Sequence, residues 1–532
     1  MRAIHPLALL LLCGSISAFP PRTHEFMTTE LLESIAAGKV TIDGQDYSID
    51  ERVRRAIETY PAYYRAGAIG PDAFPDIAFG QGHVHPNERC PDALPLGRPC
   101  SDKSNVTYAY QWLDLVYGRA WAYYDSLQGN AQAQQALAFA YGYLTHAAGD
   151  VWGHTLVNHF ARGVYPAMAE VTRDPLAQGI AFRHIVVDQY IGTKTPRTDM
   201  PIAVPYDFIY TTFITDPRAR RMGDGYFFAH YMKLRERLQR QKEAVPRTAP
   251  RGCVSMHSPT GKCLQWLSRD AILAYLDTWI ASIDRGLHEW PHMSEDVAID
   301  LFNYESISMA EHRIKEFATD RVAPMAAGPP GSIAKLVHEI LHEAWKGMPD
   351  VEDIAPVQDF TNYLFEQAFG FTPRELGSYY NHPESAFTRP ELRFVPGDRD
   401  TLDSLMHLGA DGMFSPSDFA AYRNSVVLAK LLLLPMDELQ RLLAHYDASA
   451  AYDIADASQP MNAMLGWIRS LDAGHQWRPG SAAGQRATRG MPFWADCRAR
   501  RLIFRKIFVD WEHTAPFPDE GDCAVVSQRA SQ

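Results

Sequence analysis

The chain has 532 residues, 46% of them hydrophobic and 21% charged, a composition that suits a globular protein and excludes an intrinsically disordered one. That length leaves room for two or three domains and a dry interior. A formal net charge of −12 excludes binding to nucleic acid through a general basic field, because a polyanion is repelled on average.

The first 18 residues read as an export signal. Met1-Arg2 supplies the positive start, residues 7–13 (LALLLLC) the apolar stretch, and residues 14–18 (GSISA) the small residues before a cut after Ala18. The apolar stretch is too short to span a bilayer, and no other run of about 18 apolar residues follows. A secreted or periplasmic protein without a transmembrane segment is therefore expected. Cysteine usage agrees: once Cys13 leaves with the signal, Cys90, Cys100, Cys253, Cys263, Cys497 and Cys523 remain. An even number in an exported chain favours disulfides, and no C-x-x-C suggests a cysteine metal site. Pairing of neighbours (90–100, 253–263, 497–523) is the expectation, although connectivity does not follow from sequence.

Residues 24–37 (HEFMTTELLESIAA) form an amphipathic helix opened by His24 and stopped by Gly38. Residues 56–64 read as helical and lead into RAGAIGPDAFPD (65–76), where Gly and Pro punctuate a loop that presents Asp72 and Asp76. A second loop, 80–87 (GQGHVHPN), carries the alternating pair His83 and His85. Residues 108–127 and 131–159 are helical patterns, apolar almost all round and so central. Residues 180–191 (IAFRHIVVDQYI) form another apolar helix, interrupted by His184 and Asp188. Residues 194–216 are proline-rich and read as a rim loop; 225–242 is helical, and 246–252 (PRTAPRG) marks a domain boundary. Helical patterns continue over 268–290, 294–317, 333–346, 357–369, 418–434 and 436–448. Strand signals are scarce, so the expected class is all-α. The expected division is a signal at 1–18, a catalytic domain at 19–245, a helical region of no assigned role at 246–475, and a disulfide-containing tail at 476–532.

Within residues 139–160 (FAYGYLTHAAGDVWGHTLVNHF), His146, Asp150 and His154 recur every fourth residue. At about 100° per residue, steps of four drift only about 40°, so the three side chains share one helical stripe. A buried helix normally keeps such a stripe apolar. Two imidazoles and a carboxylate there make the ligand set of a zinc-like ion. Charged groups amid apolar helix faces are rarely buried without a partner, and their recurrence at His184 and Asp188 suggests a shared cation.

Read in order, THEFM (23–27), AGAIGPDAFPD (66–76), YLTHAAGDVWGH (143–154) and the His184-x-x-x-Asp188 pair resemble the zinc-dependent phospholipase C family. The closest resemblance is to the catalytic domain of glycosylphosphatidylinositol-specific phospholipase D. The resemblance covers roughly residues 19–190 and implies a phospholipase C/nuclease-like helical fold with three zinc ions in a cleft. It implies that Asp72, one of His83 and His85, His146 and Asp150 hold one zinc. Asp150 would bridge to a second zinc also bound by His24, while His154, His184 and Asp188 would hold the third. Asp72 is also the implied general base, and the backbone of Phe19, at the new N-terminus, a further candidate ligand. In bacterial members the second histidine of the central helix lies further from the aspartate than the four residues found here, a spacing the D-type members share. His184 lies 30 residues after His154, farther than in the bacterial enzymes. His159 is a substitute for His154 that points off the stripe.

Phosphodiester hydrolysis needs a nucleophilic water at neutral pH and cations on the phosphoryl oxygens, and a multi-zinc cluster supplies both. The implied partner is a phospholipid or other phosphodiester, met through transient contact with a membrane surface. Two other activities compete. A single-strand nuclease would use the same cluster. A metalloprotease would use His338-Glu339-x-x-His342, an H-E-x-x-H pattern with Glu339 as base and Glu366 as a third ligand, but no further histidine follows at the metzincin spacing.

Overall fold

The computed structural model describes residues 19–42, 45–74, 109–162, 175–198, 201–222, 227–245, 252–254, 265–267, 269–299, 375, 378–379, 381–435 and 438. The described residues are mostly helical, as expected. Helix α1 (Pro21–Ala36) is followed by a hairpin of β1 (Lys39–Ile42) and β2 (Gln45–Ser48), then α2 (Glu51–Thr59), α3 (Pro61–Ala68) and the single turn α4 (Gly70–Ala73). Helices α5 (Ala109–Ser126), α6 (Ala131–Ala161) and α7 (Pro175–Thr193) come next. The short α8 (Tyr206–Ile209) runs into a π-helical turn at Tyr210–Ile214, followed by α9 (Pro217–Met222) and α10 (Phe227–Ala244). A small antiparallel pair, β3 (Gly252–Val254) and β4 (Gln265–Leu267), precedes the long α11 (Arg269–Ala298). The later described stretch contains α12 (Pro383–Ala386), a 3₁₀ turn at Pro390–Leu392, α13 (Asp398–Met406) and α14 (Ala420–Leu432).

Helix α6 is the axis. Every described side chain from Ala136 to Asp150 is buried, so the helix has no solvent face and must be covered all round. Helix α3 covers one side at backbone contact: a methyl on Gly67 would overlap the carbonyl oxygen of Phe139, and one on Gly142 would overlap that of Tyr64. Only glycine permits this approach. The Tyr64 hydroxyl meets Thr145 Oγ1 at 2.7 Å beside that contact. Helix α5 closes a second side, with Trp112 Nε1 donating to the Tyr143 hydroxyl at 2.9 Å and the Tyr117 and Tyr141 hydroxyls 3.0 Å apart. Helix α14 covers a third side, where Ser425 Oγ donates to the Gly149 carbonyl at 3.3 Å.

Helix α7 is tied to residues two hundred positions later. Arg183 is buried and donates from Nε to the Ala161 carbonyl at 2.8 Å and from Nη1 to the Leu392 carbonyl at 2.9 Å. Arg162 makes a two-pronged pair with Asp398 at 2.6 and 2.9 Å, the Tyr190 hydroxyl donates to Asp403 at 2.7 Å, and Phe414 N donates to the Lys194 carbonyl at 2.8 Å.

Several local expectations need correction. The first helix begins at Pro21, whose fixed φ suits the first turn, so His24 lies inside the helix instead of opening it. The helix expected over 56–64 is two helices, because Pro61 lacks an N–H and pushes Tyr60 to φ −129°. Asp72 stands on a helical turn, not irregular backbone, with Pro71 in its first turn. Residues 206–214, expected as loop, are helical because Phe208, Ile209, Phe213 and Ile214 are buried. The hairpin at 39–48 went unread because four-residue strands give little periodicity; Val40 and Ile42 alternate inward against exposed Lys39 and Thr41. Helix α11 passes through Pro291 and so joins the expected helix over 268–290 to the start of that over 294–317; burial of Leu287, Trp290, Ser294 and Ala298 offsets the lost bond. The H-E-x-x-H segment, Glu366, and the cysteines other than Cys253 lie outside the described residues, as do the Cys253 side chain and the signal.

Two outcomes are expected. Gly142→Ala should lower stability by about 3 kcal/mol or more, since the new methyl meets backbone that cannot step aside; urea denaturation measures it. Glu295 accepts a hydrogen bond from Tyr206, and burial pushes its carboxyl up to about 7. A carboxyl that holds its proton more tightly when folded favours folding at low pH, and this contribution is lost as pH rises through about 7. Glu295→Gln should therefore flatten the pH dependence of the melting temperature between about pH 4.5 and 7 and raise stability at pH 8.

Candidate metal centre

Four elements deliver the ionisable side chains to one place. Helix α6 presents His146, Asp150 and His154 one turn apart, α1 supplies His24, α4 Asp72, and α7 both His184 and Asp188. All seven are buried; His154 is the most accessible at 6% exposure. Helical periodicity placed the stripe, and covering α6 on all sides carried it into the interior.

Asp150 lies at the middle. Its Oδ1 is 3.3 Å from His24 Nε2, and its Oδ2 is 3.1 Å from His146 Nε2 and 3.9 Å from His154 Nε2. Asp72 Oδ1 stands 3.9 Å from His146 Nε2. The His24 and His146 rings stack, with centroids 3.7 Å apart and planes 18° from parallel. The His154 and His184 rings lie 5.5 Å apart. His146 Nδ1 is 2.7 Å from the Ala68 carbonyl. A carbonyl only accepts, so Nδ1 carries a proton and Nε2 is the atom turned toward the two carboxylates. That bond fixes both tautomer and ring orientation, as second-layer contacts do for metal-ligating histidines.

The electrostatics are costly for the protein alone. Burial holds His24 below the usual imidazole range, and neighbouring His146 adds to this, while Asp150 and Asp72 oppose it. Burial pushes the Asp188 carboxyl well above the ordinary range, and the charges of Asp72 and Asp150 push it the same way. Both Asp188 oxygens and His24 Nδ1 find no hydrogen-bond partner among the described residues. Three buried carboxylates grouped with imidazoles are stable together when a cation sits among them. The donors are nitrogen and carboxylate oxygen, the set that zinc takes. His24, Asp72 and His146 form a group that could hold a metal ion, each offering one ligand atom within 4.8 Å of the others.

Residues 23–179 match the family model described as zinc dependent phospholipase C. This segment is similar to a family of zinc-dependent hydrolases. Over these residues the expected likeness to a zinc-dependent phospholipase C is met. The match spans less than half of the 532 residues; it includes His24, Asp72, His146, Asp150 and His154 and ends before His184 and Asp188. No curated protein and no solved structure matches the chain.

Of the residues expected at the site, the structure brings seven together. His83, His85 and the side chain of His159 lie outside what is described. Phe19 is fully buried, its ring edge-on to His24 with centroids 6.1 Å apart. Sequence reasoning missed the Ala68 carbonyl, which carries no side-chain signal, and the glycines 67 and 142 that bring it to His146. Helix-weakening glycines inside apolar helical patterns were the available clue.

One consequence has opposite signs with and without metal. In chelator-treated protein, Asp188→Asn should raise stability by about 1–3 kcal/mol, because it removes a buried carboxyl whose ionisation that site penalises. In zinc-loaded protein the same change should lower the melting temperature. Calorimetry of both forms measures the reversal.

Proposed function

We propose that this chain is an exported zinc-dependent phosphodiesterase that cleaves the headgroup phosphodiester of phospholipids. The observation that carries it is the convergence of four histidines and two further aspartates from α1, α4, α6 and α7 around a central Asp150. The family match over 23–179 supports the reaction class. The four-residue step from Asp150 to His154 supports a likeness to D-type members, glycosylphosphatidylinositol-specific phospholipase D among them.

In this reading Asp72, His146, Asp150 and one of His83 and His85 hold one zinc, Asp150 and His24 a second, and His154, His184 and Asp188 a third. Bound zinc lowers the pKa of water and neutralises charge on the phosphoryl oxygens. The chain's own residues do the rest. Asp72, carried on the rigid turn α4, takes the proton of the attacking water at its carboxylate. Ala68 holds the His146 ring so that only Nε2 faces the reaction. The aromatic and aliphatic packing around α6 keeps bulk water from competing and strengthens each charge contact. The water oxygen forms a bond to phosphorus, the bond from phosphorus to the leaving oxygen breaks, and that oxygen takes up a proton.

No described helix is long and apolar enough to cross a membrane; access to lipid is by transient contact with the bilayer surface. Export through residues 1–18 would deliver the enzyme there.

The test is purified protein assayed in parallel for headgroup release from phosphatidylcholine, cleavage of single-stranded DNA and hydrolysis of casein, with elemental analysis. Lipid products distinguish C-type from D-type cleavage. About three zinc ions per chain are expected, and Asp150→Asn should lose more than one of them together with at least about 100-fold in lipid hydrolysis. Retention of all zinc by Asp150→Asn would make this helix structural. Activity only on casein, lost in His338→Ala and kept in His146→Ala, would replace the reading with a protease; activity only on DNA would make it a nuclease of the same cluster.

A further inference from the structure

Helix α6 carries a glycine immediately before its central aspartate. Glycine weakens a helix interior, and nothing in the packing of α3 requires one here, since that contact is made at Gly142 two turns earlier. At Gly149 the neighbour is instead a ligand-type side chain. A methyl built on Gly149 would lie 2.5 Å from His24 Cε1 and 2.6 Å from His24 Nδ1, with Met27 Sδ next at 3.3 Å. Carbon atoms do not approach so closely, so one partner would have to move.

Neither can move without changing the site. The His24 ring is fully buried, stacked on His146 on one side and flanked by Phe19, while its Nε2 reaches Asp150 at 3.3 Å. Swinging it away from Gly149 breaks that contact. Helix α6 cannot retreat either, because α14 packs against it at this level and Ser425 donates to the Gly149 carbonyl itself. The Met27 thioether is the one neighbour flexible enough to yield.

We propose that Gly149 is a positioning residue: the missing side chain is the seat of His24 and sets how deeply the α1 ligand enters the site beside Asp150. The consequence for zinc rests on the metal reading above. The steric relation between Gly149 and His24 does not.

A four-way comparison tests it, using wild type, Gly149→Ala, His24→Ala and the double variant, full chain throughout. With metal removed by chelator, the urea midpoint should fall in Gly149→Ala. The double variant should recover to at least the midpoint of His24→Ala alone, because alanine favours the helix once the ring is gone. The sign of the Gly149→Ala effect should thus reverse with His24, which a general packing role for Gly149 would not produce. After zinc is restored, Gly149→Ala should bind as little as His24→Ala, and the double variant no less than either. Should Gly149→Ala fail to accumulate as soluble protein, recovery of soluble double variant supports the seat, and no recovery overturns it. A double variant less stable than both singles also overturns it, as does Gly149→Ala with the wild-type midpoint and zinc content. Wild type that holds no zinc would overturn the metal reading, while the chelated comparison would still decide the seat.

Discussion

The interior of this protein holds Asp188 where the charges of Asp72 and Asp150 both reach it, and buried carboxylates repel strongly where the dielectric is low. Much else in the fold answers that constraint. Imidazoles from α1 and α6, His24, His146 and His154, stand 3.1–3.9 Å from the Asp150 carboxylate, and imidazole with carboxylate is a ligand set for a metal ion. The helices that bring these groups in are apolar elsewhere, so hydrophobic burial supplies the stability that the polar stripe removes. The site is affordable only because so much aromatic and aliphatic surface is packed around α6.

Precision comes from close backbone approach. Gly67 and Gly142 let α3 lie directly on α6, and this contact sets the Ala68 carbonyl at 2.7 Å from His146 Nδ1. A separation larger by one methyl would lose that bond, and with it the fixed tautomer of the histidine nearest Asp150. The turn α4 follows α3 after one residue, so the same contact also places Asp72. One crossing of two helices therefore positions two of the ligand-type side chains.

Much of this was legible in the sequence because it is periodic. The step of four linking His146, Asp150 and His154 needs only helical geometry, and the His184–Asp188 pair repeats it. The long apolar patterns of α5, α6 and α7 gave helices whose limits differ little from those observed, apart from the earlier start of α7 at Pro175. What was illegible depends on tertiary neighbours. The helical turns at 206–214 form because Phe208 and Phe213 are packed inward, against the weak local signal of a proline-rich stretch. Helix α11 crosses Pro291 because its apolar face is held. The role of the Ala68 carbonyl could not be read at all, since any residue offers the same oxygen. His24 was placed as the first residue of its helix; it sits one turn further in because Pro20 and Pro21 start the helix earlier.

The bond from Arg183 to the Leu392 carbonyl spans 209 residues, and that from Ser425 to Gly149 spans 276. The helices bearing the candidate ligands are thus braced by chain made long after them. During synthesis, α6 and α7 leave the ribosome with faces that α13 and α14 have yet to cover, and contacts of such sequence separation form slowly. Folding of this site is consequently a late event, and a nascent chain stopped at residue 245 exposes apolar helix surface of the kind that chaperones recognise.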